Sequence, residues 1–131
     1  MFEAKKFKYY TELYDRWLYM ERKKSFFLEA YLQEQNVQSI AIYGMGMIGK
    51  QLYEQIDQSK VRVSFGIDRY VGLYGKDFTI YRPESMNWPK VDAIIIAVYD
   101  EDMSIMKLLK GKTDCKIITI DKIINDLWRR E

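Results

Sequence analysis

Ser39-Ile40-Ala41-Ile42-Tyr43-Gly44-Met45-Gly46-Met47-Ile48-Gly49-Lys50 is the stretch that decides how this chain folds. The apolar run from Ser39 to Tyr43 reads as a buried strand, and Ile48, Leu52 and Ile56 then recur at the four-residue spacing of a helix with one buried stripe. Between them stands Gly-x-Gly-x-x-Gly. Strand, glycine turn and helix in that order form the opening of a βαβ unit of the kind that holds a dinucleotide. The motif alone is common by chance. Here the next apolar run, Val61 to Ile67, ends in Asp68, nineteen residues after Gly49, where such units place the acid that meets a cofactor ribose.

Each glycine has a mechanical task in this reading. Gly44 permits the tight turn out of the strand, Gly46 lets backbone approach a pyrophosphate, and Gly49 lets helix and strand pack closely. Met45, Met47 and Ile48 complete the turn, whose amides would face the phosphates at the positive end of the helix dipole. Asp68 would accept hydrogen bonds from the ribose hydroxyls, and its charge disfavours a 2′-phosphate. Arg69 beside it could stack on adenine or attract a phosphate, so the pair leans to NAD without excluding NADP. Val98 and Tyr99 would line the cleft at the carboxyl end of the central strand. The bland alternative is a turn that keeps this shape and binds nothing, since the glycines serve packing as well.

Other motifs fail on inspection. Gly44 to Lys50 also spells the G-x-x-x-x-G-K of a nucleoside triphosphatase loop, but Gln51 stands where Ser or Thr must hold magnesium. Tyr19 and Lys23 have the Tyr-x-x-x-Lys spacing of short-chain dehydrogenases, yet they precede the glycine turn instead of following it. Asp100, Glu101 and Asp102 read as charge complementing a helix start. The sequence has no histidine, which removes the commonest general base near neutral pH. Neither a catalytic residue nor a metal ligand is assigned. The single Cys115 excludes an internal disulfide and a cysteine metal cluster.

At 131 residues the expectation is one core, too small for a cofactor domain plus a separate substrate domain. A net charge of +2 predicts no nucleic-acid or membrane partner. No apolar run reaches membrane-spanning length, and Met1-Phe2-Glu3-Ala4-Lys5-Lys6 lacks the apolar core of a signal peptide, so the expected location is cytoplasmic.

The chain divides into residues 1–36, a helical hairpin, and residues 37–131, the nucleotide-binding unit. Tyr10, Leu13, Tyr14, Trp17 and Leu18 give a first helix over Phe7 to Arg22, and Ser25 is placed to cap a second that ends near Asn36. The hairpin's aromatic surface must be buried on the following domain, on a second copy as a homodimer, or on another protein. Val61, Val63 and Phe65 alternate into Ile67 as strand two, residues 69–77 read as a loop or a single turn, and Phe78 to Tyr81 forms a short strand stopped by Pro83. Asp92 to Tyr99 is the central strand; Met103, Met106 and Leu109 give the next helix its buried face before Gly111 ends it. Lys116 to Ile120 is strand five, and Asp121 caps a last helix. Alternating strands and helices predict an α/β fold, a five-stranded parallel sheet in the order 3-2-1-4-5 behind the hairpin.

Leu13-Tyr14-Asp15-Arg16-Trp17-Leu18, Ile40 to Gly46 with Gly49, Gly66-Ile67-Asp68-Arg69, Ile80-Tyr81-Arg82-Pro83-Glu84 and Asp92-Ala93-Ile94-Ile95-Ile96 together cover nearly the whole chain. In these segments it resembles small Rossmann-like domains attached to bacterial glycosyltransferases and to capsule or polysaccharide biosynthesis proteins. The resemblance implies an accessory or regulatory domain binding NAD(P) or a nucleotide-sugar in surface-glycan synthesis, working beside a glycan-biosynthesis enzyme, with no catalysis of its own. Such domains are attached to larger proteins, so this chain would be a piece of one or would act through a partner. A second resemblance, to the ligand-sensing domains of potassium uptake systems, rests on the glycine turn, the acid after strand two and the apolar strand followed by acids. It leaves the leading hairpin and Tyr81-Arg82-Pro83-Glu84 unexplained. Acyl-CoA or S-adenosylmethionine would also suit a glycine-rich first turn with a downstream acid. The remaining class is an interaction protein that keeps the fold without a ligand.

Overall fold

Runs rich in isoleucine and valine form β1 (Ser39–Tyr43), β2 (Arg62–Ile67), β3 (Ile80–Tyr81), β4 (Ala93–Ile96) and β5 (Lys116–Thr119) in the computed structural model, which describes residues 2–70 and 78–131. All four pairings are parallel and the strand order is β3-β2-β1-β4-β5, the order the alternation of elements predicts. β1 and β4 lie side by side at the centre. The helices are α1 (Phe2–Lys23), α2 (Phe27–Glu34), α3 (Met47–Gln55), α4 (Ser104–Lys110) and α5 (Ile120–Arg129).

Because neighbouring strand residues point to opposite faces, the sheet has two separate apolar layers. Ile40, Ile42 and Ile95 face a layer closed by Leu13 and Trp17 of α1, Leu28 and Leu32 of α2, Leu52 of α3 and Ile124 of α5. Ala41, Ile94 and Ile96 face the other way, toward Leu109 of α4. The surface of the leading helices is therefore buried on this chain's own sheet. Polar bonds fix their position: Trp17 Nε1 donates to Gln55 Oε1, Arg16 Nη1 to Asn125 Oδ1, and Tyr31 Oη to Asp126 Oδ2 at 2.9 Å. Glu29, almost fully buried, accepts the Asp57 amide at 2.8 Å, which answers its need for a partner.

β2 is not the regular strand its alternation suggests. Ile40 pairs with Val63, but Ala41 pairs with Phe65, so Ser64 is an extra residue, a bulge. The bulge inverts the strand's parity. Val63 joins the layer under α3, while Phe65 and Ile67 join the layer under α4.

Several boundaries differ from the sequence expectation. Ser25 does not cap α2; Phe26, in the left-handed region at φ 59°, occupies that position. Thr119, not Asp121, caps α5 by accepting the Lys122 amide, and this shortens β5 by one residue. Met103 precedes α4 instead of joining its buried face, and it is exposed with φ 60°. Leu18 points outward from α1. The central strand stops at Ile96, because the last bond of the ladder runs from the Ala97 amide to the Tyr43 carbonyl. Asn36 ends α2 as expected, at φ 61°. The expected loop at residues 69–77 falls largely on 71–77, outside the described residues. Among the described residues no helix is long and apolar enough to cross a membrane.

Candidate functional site

The carboxyl ends of β1 and β4 adjoin, and the chain leaves them to opposite faces, β1 into α3 and β4 into α4. A crevice at such a switch point is where open parallel sheets receive ligands. Gly44 to Gly49 lies at its lip. The Gly44 amide donates to the Ile67 carbonyl at 2.8 Å, and the residue turns away at φ +94°, a region that L side chains rarely adopt.

The three glycines of the motif differ in what requires them. A Cβ on Gly49 would lie 1.9 Å from the Gly44 carbonyl oxygen, a backbone clash that no rotamer relieves. A Cβ on Gly44 would lie 2.4 Å from Val98 Cγ1, because Val98 packs directly over the turn. Among the described residues nothing lies within 4 Å of a Cβ placed on Gly46, and its φ of −80° lies outside the left-handed region that favours glycine. Internal packing therefore explains Gly44 and Gly49 and leaves Gly46 unexplained. Gly46 is also the N-cap of α3 and brings no side chain to cap it, so the amides of the first turn receive no side-chain acceptor from this position. Met45, Ile48 and Gly49 are buried, whereas Gly46 and Met47 are exposed. A ligand would thus meet the turn through Gly46 and Met47.

Asp68 reaches back across the strand ends to the turn. Its Oδ2 accepts the Met45 amide at 2.6 Å and its Oδ1 accepts the Tyr70 amide at 3.0 Å. The carboxylate thereby fixes the turn's shape, and each oxygen keeps one lone pair for a further donor. Arg69, next along, is exposed and turns to the α4 side of the sheet, where it lines a cavity with Tyr43 and Arg82. Burial pushes the Tyr43 hydroxyl pKa up, and the nearby Arg69 guanidinium opposes that shift.

Beyond Val98, α1 closes the far side of the crevice with tyrosines. The Tyr99 amide donates to Tyr10 Oη at 3.0 Å, and the rings of Tyr9 and Tyr99 lie 4.9 Å apart. Tyr9 Oη donates in turn to Asp121 Oδ1 at 3.1 Å. Burial, reinforced by the Asp121 charge, holds the Tyr9 hydroxyl well above the usual tyrosine range, so it stays a neutral donor. Beside the turn, Phe7, Tyr14 and Met47 form an apolar groove of about 350 Å³. Helical spacing marks Tyr10 and Tyr14 as inward-facing, but no local signal shows that the first half of α1 lies against Tyr99, just beyond β4.

The acids after β4 belong to α4. Asp100 accepts the amides of Ile105 and Met106 at 3.1 and 3.0 Å, and Asp102 accepts that of Ser104 at 3.1 Å. Those backbone bonds hold the exposed Asp102 carboxyl below the usual range. This is the charge-complementing cap that their spacing predicts.

The structure thus gathers Gly44 to Gly49, Asp68 and Val98 at one lip, puts Tyr99 among the α1 tyrosines, and sends Arg69 to a different cavity. Comparison with protein-family models, curated proteins and solved structures finds no match.

Proposed function

We propose that the chain is an accessory or regulatory nucleotide-binding unit, holding NAD(P) or a nucleotide-sugar against Gly46 and Met47 at the switch point and performing no chemistry by itself. The observation that carries the reading is Gly46. Among the described residues neither φ nor packing requires a glycine there, while the position fronts the first turn of a nine-residue helix whose N-cap residue makes no side-chain cap bond. An anion whose oxygens approach the backbone closely supplies the missing reason. Service in surface-polysaccharide biosynthesis, alongside a glycan-assembly enzyme, rests on the sequence resemblance alone. The lack of any histidine supports binding over turnover.

Calorimetric titration of the full chain with NAD, NADP, a UDP-sugar, CoA and S-adenosylmethionine tests this reading, with Gly46→Ala as the control. NAD, NADP or the UDP-sugar is expected to bind the native chain and to lose at least tenfold in affinity with Gly46→Ala, whose melting temperature stays close to native. Silence toward all five ligands, or equal binding by Gly46→Ala, overturns it.

Asp68 favours a second reading, a scaffold that keeps the fold without a ligand. Both of its oxygens already bind backbone amides, so the acid has a structural use independent of any ribose. On this reading the working surface is the outer side of α1, where Phe7 and Leu18 are exposed, meeting a second copy or another protein. Asp68→Asn separates the two. A scaffold loses stability and nothing else, whereas a nucleotide site also loses affinity.

A further inference from the structure

We propose that the cavity on the α4 side of the sheet's carboxyl edge is a second binding site, which takes a small hydroxylated compound bearing one phosphate or carboxylate. The cavity is about 520 Å³, in the range of small-ligand sites. Three strands adjacent in the sheet bring residues to it: Tyr43 ends β1, Arg69 follows β2 and Arg82 follows β3. The site lies on the other face of the sheet from the proposed nucleotide cleft. Tyr43 and Arg69 adjoin Gly44 and Asp68 in sequence, but the glycine turn opens into α3 on the opposite face.

Its chemistry follows from the two guanidiniums. Among the described residues, the arginines near the carboxyl terminus have carboxylate partners: Arg130 pairs with Glu34 at 2.9 Å and Arg129 with Asp126 at 3.8 Å. Arg69 and Arg82, like Arg16, Arg22 and Arg62, enter no ion pair among the described residues, but they alone of these line one cavity together, with Glu84 beside them. Two guanidinium side chains lining one cavity supply planar forks of N–H donors, which suit the oxygens of a phosphate or carboxylate. The Glu84 carboxylate and the hydroxyls of Tyr43 and Ser104 add acceptors and donors that a bare ion would not use, and ligand hydroxyls would.

The frame is built to hold these groups still. The Ser85 amide donates to the Arg82 carbonyl at 3.0 Å, closing a turn after β3. Lys112 clamps that turn from beyond α4, its ammonium donating to the carbonyls of Pro83 and Ser85. On the opposite wall Asp100 and Asp102 fix the start of α4, and with it Ser104 and Ile105. Fixed walls reduce the ordering cost of binding.

The test follows the arginine side-chain Nε–Hε resonances of the 15N-labelled full chain during titration with glycerol 3-phosphate, glycerate, inorganic phosphate and sodium chloride at matched ionic strength. Saturable movement of the Arg69 and Arg82 signals with glycerol 3-phosphate or glycerate is expected, and which one acts identifies the anionic group. Arg82→Gln is expected to weaken that response at least tenfold while leaving the backbone amide spectrum in place. Gly46→Ala is expected to leave it unchanged, so failure of the nucleotide cleft and failure of this site are read separately. Movement equal to that in sodium chloride, an equal response to inorganic phosphate, or an undiminished response in Arg82→Gln would overturn the proposal.

Discussion

The two faces of the sheet are built to different depths. Among the described residues, twenty-five buried side chains form the layer under α1, α2, α3 and α5, and six form the layer under α4. The difference comes from the connections. The β1–β2 crossover is a nine-residue helix and both chain ends return to the same side, while residues 82–92, joining β3 to β4, contain two prolines and form no helix. The thin face has the 520 Å³ arginine cavity and a cavity of about 670 Å³ lined by Trp88. The thick layer holds most of the buried apolar side chains, and the thin one is flanked by two cavities.

Tryptophan substitutions test this division most severely. Trp17 is 1% exposed inside the thick layer, so Trp17→Ala should cost about 3–5 kcal/mol in urea denaturation. Trp88 is half-buried, its indole N–H has no partner among the described residues, and Lys112 lies 5.0 Å from its ring centre. Trp88→Ala should cost less than about 2 kcal/mol. Equal losses would mean that the thin face carries as much of the fold as the thick one.

Next come the glycines where the thick layer meets the crevice. Gly49→Ala drives a methyl into the Gly44 carbonyl and should cost about 3 kcal/mol, at the upper end of overpacking. Gly46→Ala should stay within about 1 kcal/mol of native, the difference between glycine and alanine at an N-cap. Thermal melts of the two variants side by side check this, and matching losses would remove the main support for a ligand at Gly46.

The smallest effect concerns the hydroxyl bond that joins α2 to α5. Burial and the bond to Asp126 push the Tyr31 hydroxyl pKa up to about 12, so this bond is fully present below the unfolded value of 10 and is lost as pH rises toward 12. Asp126 shifts the other way: burial would raise its carboxyl, but the Tyr31 and Lys122 bonds outweigh that and hold it below its ordinary value of 3.8. Its contribution is present above that value and fades as pH falls through the native one. Tyr31→Phe should therefore be less stable by about 1 kcal/mol at neutral pH. The gap should narrow as pH rises from 10 toward 12 and as it falls below 3.8 in melts run across that range, and a constant gap would show that the pair does not titrate as a unit.

What could be read from the sequence was local. The β1–turn–α3 unit announces itself because strand, glycines and helical stripe are contiguous, and the strand order follows because a helical crossover fixes handedness. Asp68 was placed correctly at a strand end, but its bond to Met45 could not be read, since nothing local states which amide a carboxylate will choose. The caps differ from their local chemistry for the same reason. Ser25 and Asp121 have good capping chemistry, yet α2 is positioned by Tyr31 and Glu29, and the Asp121 carboxylate is taken by Tyr9. No local signal ties Arg82 to Arg69, because only the side-by-side placement of β2 and β3 brings it to the cavity that Arg69 lines.

The Ser64 bulge bears on how kin of this chain should be sought. It adds one residue between the glycine turn and the acid without moving the acid along the sheet, since Tyr43 still pairs with Ile67. A relative lacking the bulge would reach the same corner with its acid one position earlier. A pattern that fixes the distance from Gly49 to Asp68 would pass over that relative, and one that allows a single gap inside β2 would recover it.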